Sequence, residues 1–304
     1  MYTRVLIPLD GSKVAGQVLP YARFFARRLK IPVELLGVID PDSVAPILDP
    51  ATGHYVDTVV AERQRNSASY LRAIAPLLNG VTVRCAVEKG KPEEVVIEKA
   101  AADKETLIAM ATHGRSGVQR WLLGSVAEKV LRGATNHLLL VRASNEGKIV
   151  GEANLKTVVV PLDGSKLAEK VLPYVVYLAN AMNLEVILVR AYALPMSAYY
   201  DTEDYVPNYE GRSAQLKEEA REYLELKVNE LKKQGLEKVS SALFEGSGAD
   251  KIIELAQKTP DNFIAMCTHG RSGIKRWVLG SVTEKVVRHS GDPVLVIRAQ
   301  TEDR

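Results

Sequence analysis

The chain has 304 residues, 40 Lys and Arg against 37 Asp and Glu, and an apolar fraction of 46%. Near-neutral charge with scattered basic residues excludes a disordered chain and gives no basic tail for nucleic acid. No apolar run approaches the ~20 residues of a membrane span, and the first strand pattern begins close behind Met1, so neither a membrane segment nor a signal peptide is expected.

The elements follow in chain order. Val5 to Pro8 is a short apolar run that reads as a strand, with Pro8 marking its end because proline cannot donate to a sheet ladder. A helical pattern covers Ser12 to Lys30, and Val33 to Ile39 is a continuous apolar run, as in a strand buried on both faces. Asp40 to Arg65, with Pro41, Pro46 and Pro50, reads as irregular. A helix ending near Asn79-Gly80 precedes the strand Val81 to Val87. A helix over Pro92 to Asp103 leads to the strand Thr106 to Ala111. A glycine-rich stretch, a helix from Ser125 and the strand Leu138 to Val141 complete the series. The same order returns in Val158 to Pro161, Val186 to Val189, Val239 to Phe244, Phe263 to Cys267 and Val294 to Ile297, with Ala191 to Ser213 as the second irregular stretch. Strands alternating with helices predict parallel βαβ units in doubly wound sheets, an α/β fold. Ligands in such sheets bind beyond the carboxyl ends of the strands, where strand order reverses. Pro8 to Ser12, Gly37 to Asp40 and Ala111 to Ser125 fall there.

The return is a true repeat. Val5 to Lys13 matches Val158 to Lys166 at an offset of 153. Thr112 to Arg132 matches Thr268 to Arg288 at an offset of 156, with 16 of 21 positions identical. A unit this long is a domain, not a solenoid repeat. Domain one is expected over 1–145, a linker over 146–154 and domain two over 155–304. Cys85 and Cys267 sit in different domains without paired or metal-ligand spacing, which suits a reduced, cytoplasmic setting.

The best-preserved stretch carries the chemistry. Gly114, Gly117 and Gly124 allow close backbone approach to a ligand, and the stretch runs into a helix whose first amides are unpaired and carry the positive dipole end. Strand, glycine-rich loop and helix start together make a phosphate site, with Arg115 adding positive charge. Gly270, Gly273, Gly280 and Arg271 repeat the set. Against this stands a ligand-free reading, since Ser125 with Glu128 and Ser281 with Glu284 have the spacing of capping boxes. No nucleophile or general base accompanies His113 or His269, so both read as loop supports, and no catalytic residue or metal site is expected. Walker and dinucleotide-binding signatures are missing.

The combination resembles the universal stress protein family in its tandem, two-domain form. The resemblance rests on V-P-L-D-G-S at Val160 and its near match at Ile7, and on the family's nucleotide motif G-x2-G-x9-G-[ST] after the fourth strand. That motif falls on Ala111, Gly114, Gly124 and Ser125, and again on Cys267, Gly270, Gly280 and Ser281. It implies two five-stranded parallel sheets, each in the order 3-2-1-4-5. It also implies ATP as ligand, with AMP, ADP or cyclic AMP as variants and Mg²⁺ beside the phosphates. By resemblance, Asp10 and Asp163 reach the ribose, Val38 and Ala191 lie against adenine, and Met110 and Met266 flank base and sugar. Pro8, Pro161, Val126, Val282 and the loop residues named above complete the binding set. The motif's first glycine is replaced by Ala111 and by the larger Cys267, which predicts weaker binding in domain two.

The leading function is an ATP-binding regulatory protein of a stress response. The alternatives are a slow ATPase or phosphotransferase, and an interaction module that has lost its nucleotide. Terminal strands at sheet edges are expected to be covered, by pairing of the two domains as a pseudo-dimer within the chain or by a homo-oligomer. A regulatory protein partner is expected; nucleic acid and membrane are not.

Overall fold

The computed structural model describes residues 1–43, 53–112, 123–143, 151–193, 209–268 and 279–298. The first repeat contains β1 (Arg4–Pro8), α1 (Leu19–Leu29), β2 (Val33–Ile39), α2 (Gly53–Ile74), β3 (Val83–Lys89), α3 (Pro92–Ala101), β4 (Thr106–Thr112), α4 (Ser125–Gly133) and β5 (Leu138–Arg142). The second contains β6 (Thr157–Pro161), α5 (Lys166–Glu169), α6 (Leu172–Met182), β7 (Glu185–Tyr192), α7 (Tyr209–Lys233), β8 (Val239–Glu245), α8 (Gly248–Lys258), β9 (Asn262–Cys267), α9 (Ser281–His289) and β10 (Val294–Ile297).

Contacts group the described chain into one unit of Met1–Asn154 with Pro293–Arg298, and another of Leu155–Asp292. In the first unit the strands run in the order β3-β2-β1-β4-β5. β1 pairs in parallel with β2 on one side and β4 on the other, so strand order reverses at β1. Val5, Leu6 and Ile7 are fully buried, which explains an uninterrupted apolar run where a half-exposed strand would alternate. β5 is not left as an edge: Val294, Leu295 and Val296 pair antiparallel with Leu140, Leu139 and Leu138. The second unit has the order β8-β7-β6-β9, with β6 parallel to both β7 and β9. The expected α/β, doubly wound architecture is therefore present in each unit.

Two elements differ from expectation for local reasons. The pattern over Ser12 to Lys30 resolves into a 3₁₀ turn at Ala15–Val18 and α1, with Pro20 in the first helical turn, where its missing N–H costs nothing. α2 begins at Gly53, well inside the stretch read as irregular, and is largely polar along its length. α1 and α6 end alike, with Lys30 and Asn183 in the left-handed region at φ 56°. Such an end satisfies the last carbonyls, and asparagine tolerates it better than lysine. No helix among the described residues is long and apolar enough to cross a membrane.

The first unit also contains a pH-sensitive packing point. His137 sits just before β5, with Nδ1 2.9 Å from the Tyr2 hydroxyl and the two rings edge to face. Burial lowers its pKa to about 4, against a smaller opposing pull from Glu105. The unfolded imidazole titrates near the ordinary 6.5. Between those values the unfolded chain binds the extra proton, so this contribution is complete above pH ~6.5 and is lost as pH falls through about 4. The expected loss is up to about 3 kcal/mol. His137→Gln removes the titration, so denaturant midpoints measured from pH 7.5 to 4.5 should fall more steeply for the native chain. Parallel slopes would show that His137 does not couple to folding.

Candidate functional site

The V-P-L-D-G-S segments form the same turn twice. Gly11 and Gly164 have φ of 85° and 86°, a region other residues rarely adopt. The Ser12 N–H donates to Asp10 Oδ1 and the Ser165 N–H to Asp163 Oδ1, each at 2.9 Å. The Ala15 and Ala168 N–H groups donate in turn to the Ser12 and Ser165 hydroxyls at 3.1 Å. Each aspartate is thus fixed at the carboxyl end of a central strand. Asp10 is exposed, and its negative charge adds to burial in raising the pKa of Tyr70 on α2.

In the first unit these carboxyl ends open on one cavity of about 230 Å³. Pro8 and Asp10 line it from β1 and its turn, Val38 from β2, Met110 and Ala111 from β4, and Gly124, Ser125 and Val126 from the start of α4. All eight expected first-unit residues that are described meet there. His113, Gly114, Arg115 and Gly117, with His269, Gly270, Arg271 and Gly273, lie outside the described residues. The cavity also has walls that sequence reasoning did not assign. Leu36 and Pro92 are among them, with Val96 one helical turn beyond Pro92. An N-terminal proline and an apolar helix face mark α3 as a helix, and no local signal aims that helix at a ligand.

The start of α4 bears on the phosphate and capping readings. The helix begins at Ser125 itself, and the cap residue is Gly124, which makes no side-chain cap hydrogen bond. α9 repeats this with Ser281 and Gly280. Ser125 and Ser281 are the first helical residues and not the cap residues a capping box needs, and Glu128 pairs with Arg132 and Glu284 with Arg288. In the first unit the bare helix start lies on the cavity wall, where an anion would meet unpaired amides and the positive dipole end.

The second unit places Pro161 and Asp163 at the end of β6, Ala191 near the end of β7, and Met266 and Cys267 at the end of β9. Val282 is 40% exposed on α9. Cys267 is buried, whereas Ala111 at the matching position is half-buried. Burial pushes the Cys267 thiol up to about 12, and only the thiolate is reactive. Cys85 is exposed. A disulfide-exchange reagent at pH 8 should therefore titrate one thiol in the native chain and two after denaturation. Two fast native thiols would contradict the buried placement of Cys267.

In a doubly wound sheet, the carboxyl ends at the strand-order reversal, where this cavity lies, are the usual place for a small ligand. The model of the universal stress protein family matches residues 1–142 and again residues 154–298. The chain belongs to the universal stress protein family. It is 32% identical over 148 residues to the universal stress protein MJ0531 of Methanocaldococcus jannaschii, covering 49% of this chain and 85% of that one. It is 29% identical over 149 residues to YxiE of Bacillus subtilis, covering 47% and 100%. The crystal structure of a universal stress protein from Archaeoglobus fulgidus matches 99% of this chain and 100% of its own, at 19% identity and a TM-score of 0.69, and so shares the fold.

Proposed function

We propose that the first unit binds an adenine nucleotide, with ATP and Mg²⁺ as the leading form. The chain then acts as a cytoplasmic regulatory protein whose contact with a protein partner depends on occupancy. The observation that carries this reading is the convergence of Asp10, Ala111 and the uncapped start of α4 on one cavity. One Asp10 oxygen accepts from Ser12, which leaves the other to accept from a ribose hydroxyl. Val38 and Met110 offer apolar surface to the base. The Gly124, Ser125 and Val126 N–H groups would donate to phosphate oxygens, whose charge a bound Mg²⁺ would offset. Ala111 is small enough to let the phosphates approach the backbone.

Denaturing freshly purified protein and quantifying released nucleotides by chromatography and mass spectrometry tests the reading. Released adenine nucleotide, or saturable binding of Mg-ATP to stripped protein, is the expected result. Neither release nor binding would leave an interaction module as the surviving function.

A further inference from the structure

The repeats place different residues at equivalent points around the two sites. Pro8 pairs with Leu36 and Pro161 with Val189, so the next residues, Gly37 and Arg190, occupy the same place in their strands. The Arg190 guanidinium lies 4.8 Å from the centre of the Tyr223 ring on α7. It also fills the space beside the Asp163 turn. A Cβ built on Gly164 would meet it at 3.1 to 3.3 Å, whereas around Gly11 there is nothing within 4 Å.

The charge does not come alone. The Tyr223 hydroxyl donates to Glu169 at 2.9 Å, and Lys227 pairs with Glu169 at 3.1 Å and with Glu230 at 2.9 Å. At the offset of the repeat, Tyr223 corresponds to Tyr70, but Glu169 corresponds to Gly16 and Lys227 to Ile74. The second unit has therefore gained a connected set of charges around a tyrosine that the first unit holds without them. Partly buried ion pairs of this kind persist when each member is satisfied.

The opposite wall differs as well. The Thr283 hydroxyl, in the first turn of α9, donates to the Cys267 carbonyl at 2.9 Å, and the Gly280 N–H donates to the Thr268 carbonyl at 2.7 Å. These bonds tie the end of β9 to the start of α9. Ala127 stands in the place of Thr283, has no hydroxyl to donate, and lines the first unit's cavity. The Thr112 carbonyl accepts from the Ala143 N–H instead.

We infer that the two sites are inequivalent, the first unit taking nucleotide and the second being braced by its own side chains in place of one. In the first unit a nucleotide's phosphates bridge the end of β4 and the start of α4. In the second, Thr283 makes that bridge, Cys267 narrows the backbone approach, and Arg190 occupies the space beside the ribose-side turn. Arg190, Cys267 and Thr283 are the residues that set this difference. The inference rests on the nucleotide reading of the first unit.

Calorimetric titration of the stripped, full-length chain with Mg-ATP tests it. The expected result is one tight site per chain, with any second site at least about tenfold weaker. Ala111→Phe should remove the tight site, and the combination Arg190→Gly, Cys267→Ala and Thr283→Ala should add a second. Two native sites of equal affinity would overturn the inference. So would a tight site that survives Ala111→Phe in a chain with native circular dichroism, or a folded triple variant that still binds one equivalent. No binding in any chain would instead overturn the nucleotide reading itself.

Discussion

Ala111→Phe is expected to weaken Mg-ATP binding by the first unit at least about hundredfold, or about 2.7 kcal/mol. Ala111 lies near the end of β4 and lines the cavity with Met110 before it and Gly124 opposite in sequence. A phenyl ring there occupies much of a cavity of about 230 Å³. It also holds phosphate oxygens away from the backbone, where unpaired amides do most of their work. The substitution sits at a strand end beside open space, so the fold should tolerate it. Equilibrium binding of Mg-ATP, alongside circular dichroism, checks the prediction. A folded variant with native affinity would mean that the ligand lies elsewhere.

Phe25→Ala is expected to destabilise the first unit by about 3–5 kcal/mol. Phe25 is fully buried on α1, the helix that packs on β1. Removing its ring takes away apolar burial and leaves a void that surrounding strands cannot close. That loss is a large part of the ~5–15 kcal/mol by which a domain is normally stable. Because only the short 3₁₀ turn at Ala15–Val18 separates α1 from the Asp10 turn, loosened packing should reach the site, and Mg-ATP should then raise the unfolding midpoint less than in the native chain. Calorimetry with and without Mg-ATP separates the two effects. A stability loss below about 1 kcal/mol would show that α1 is not anchored through this ring.

Much of the architecture was legible because the strands are buried on both faces. Val158, Val159 and Val160 or Leu138 and Leu139 form apolar runs that no surface helix would carry. Proline and glycine marked several ends, among them Pro8 and Gly80. The start of α2 was not legible. It opens on a glycine, its first turns carry the β-branched Val56, Thr58, Val59 and Val60, and prolines stand shortly before it, so nothing local separates the helix from a loop. The 3₁₀ turn at Ala15–Val18 merged with α1 for a related reason: both share an apolar face, and only backbone geometry tells them apart.

For the site, local chemistry and tertiary placement divide the information. By itself the amino-acid sequence determined the repeat, the α/β class, the Asp-Gly-Ser turn after each first strand and the glycine-serine start of α4. Each of these is a demand of a few neighbouring residues: a positive φ, a missing N–H, an apolar run too continuous to face water. The tertiary structure alone decided that Ser125 begins its helix without a side-chain cap, that Pro92 and Val96 face the same cavity as Asp10, and that Arg190 stacks on Tyr223 beside Gly164. Such pairings join residues many positions apart, and each partner on its own is an ordinary helix or strand residue. Packing brings them together, and no local rule contains the distance between them.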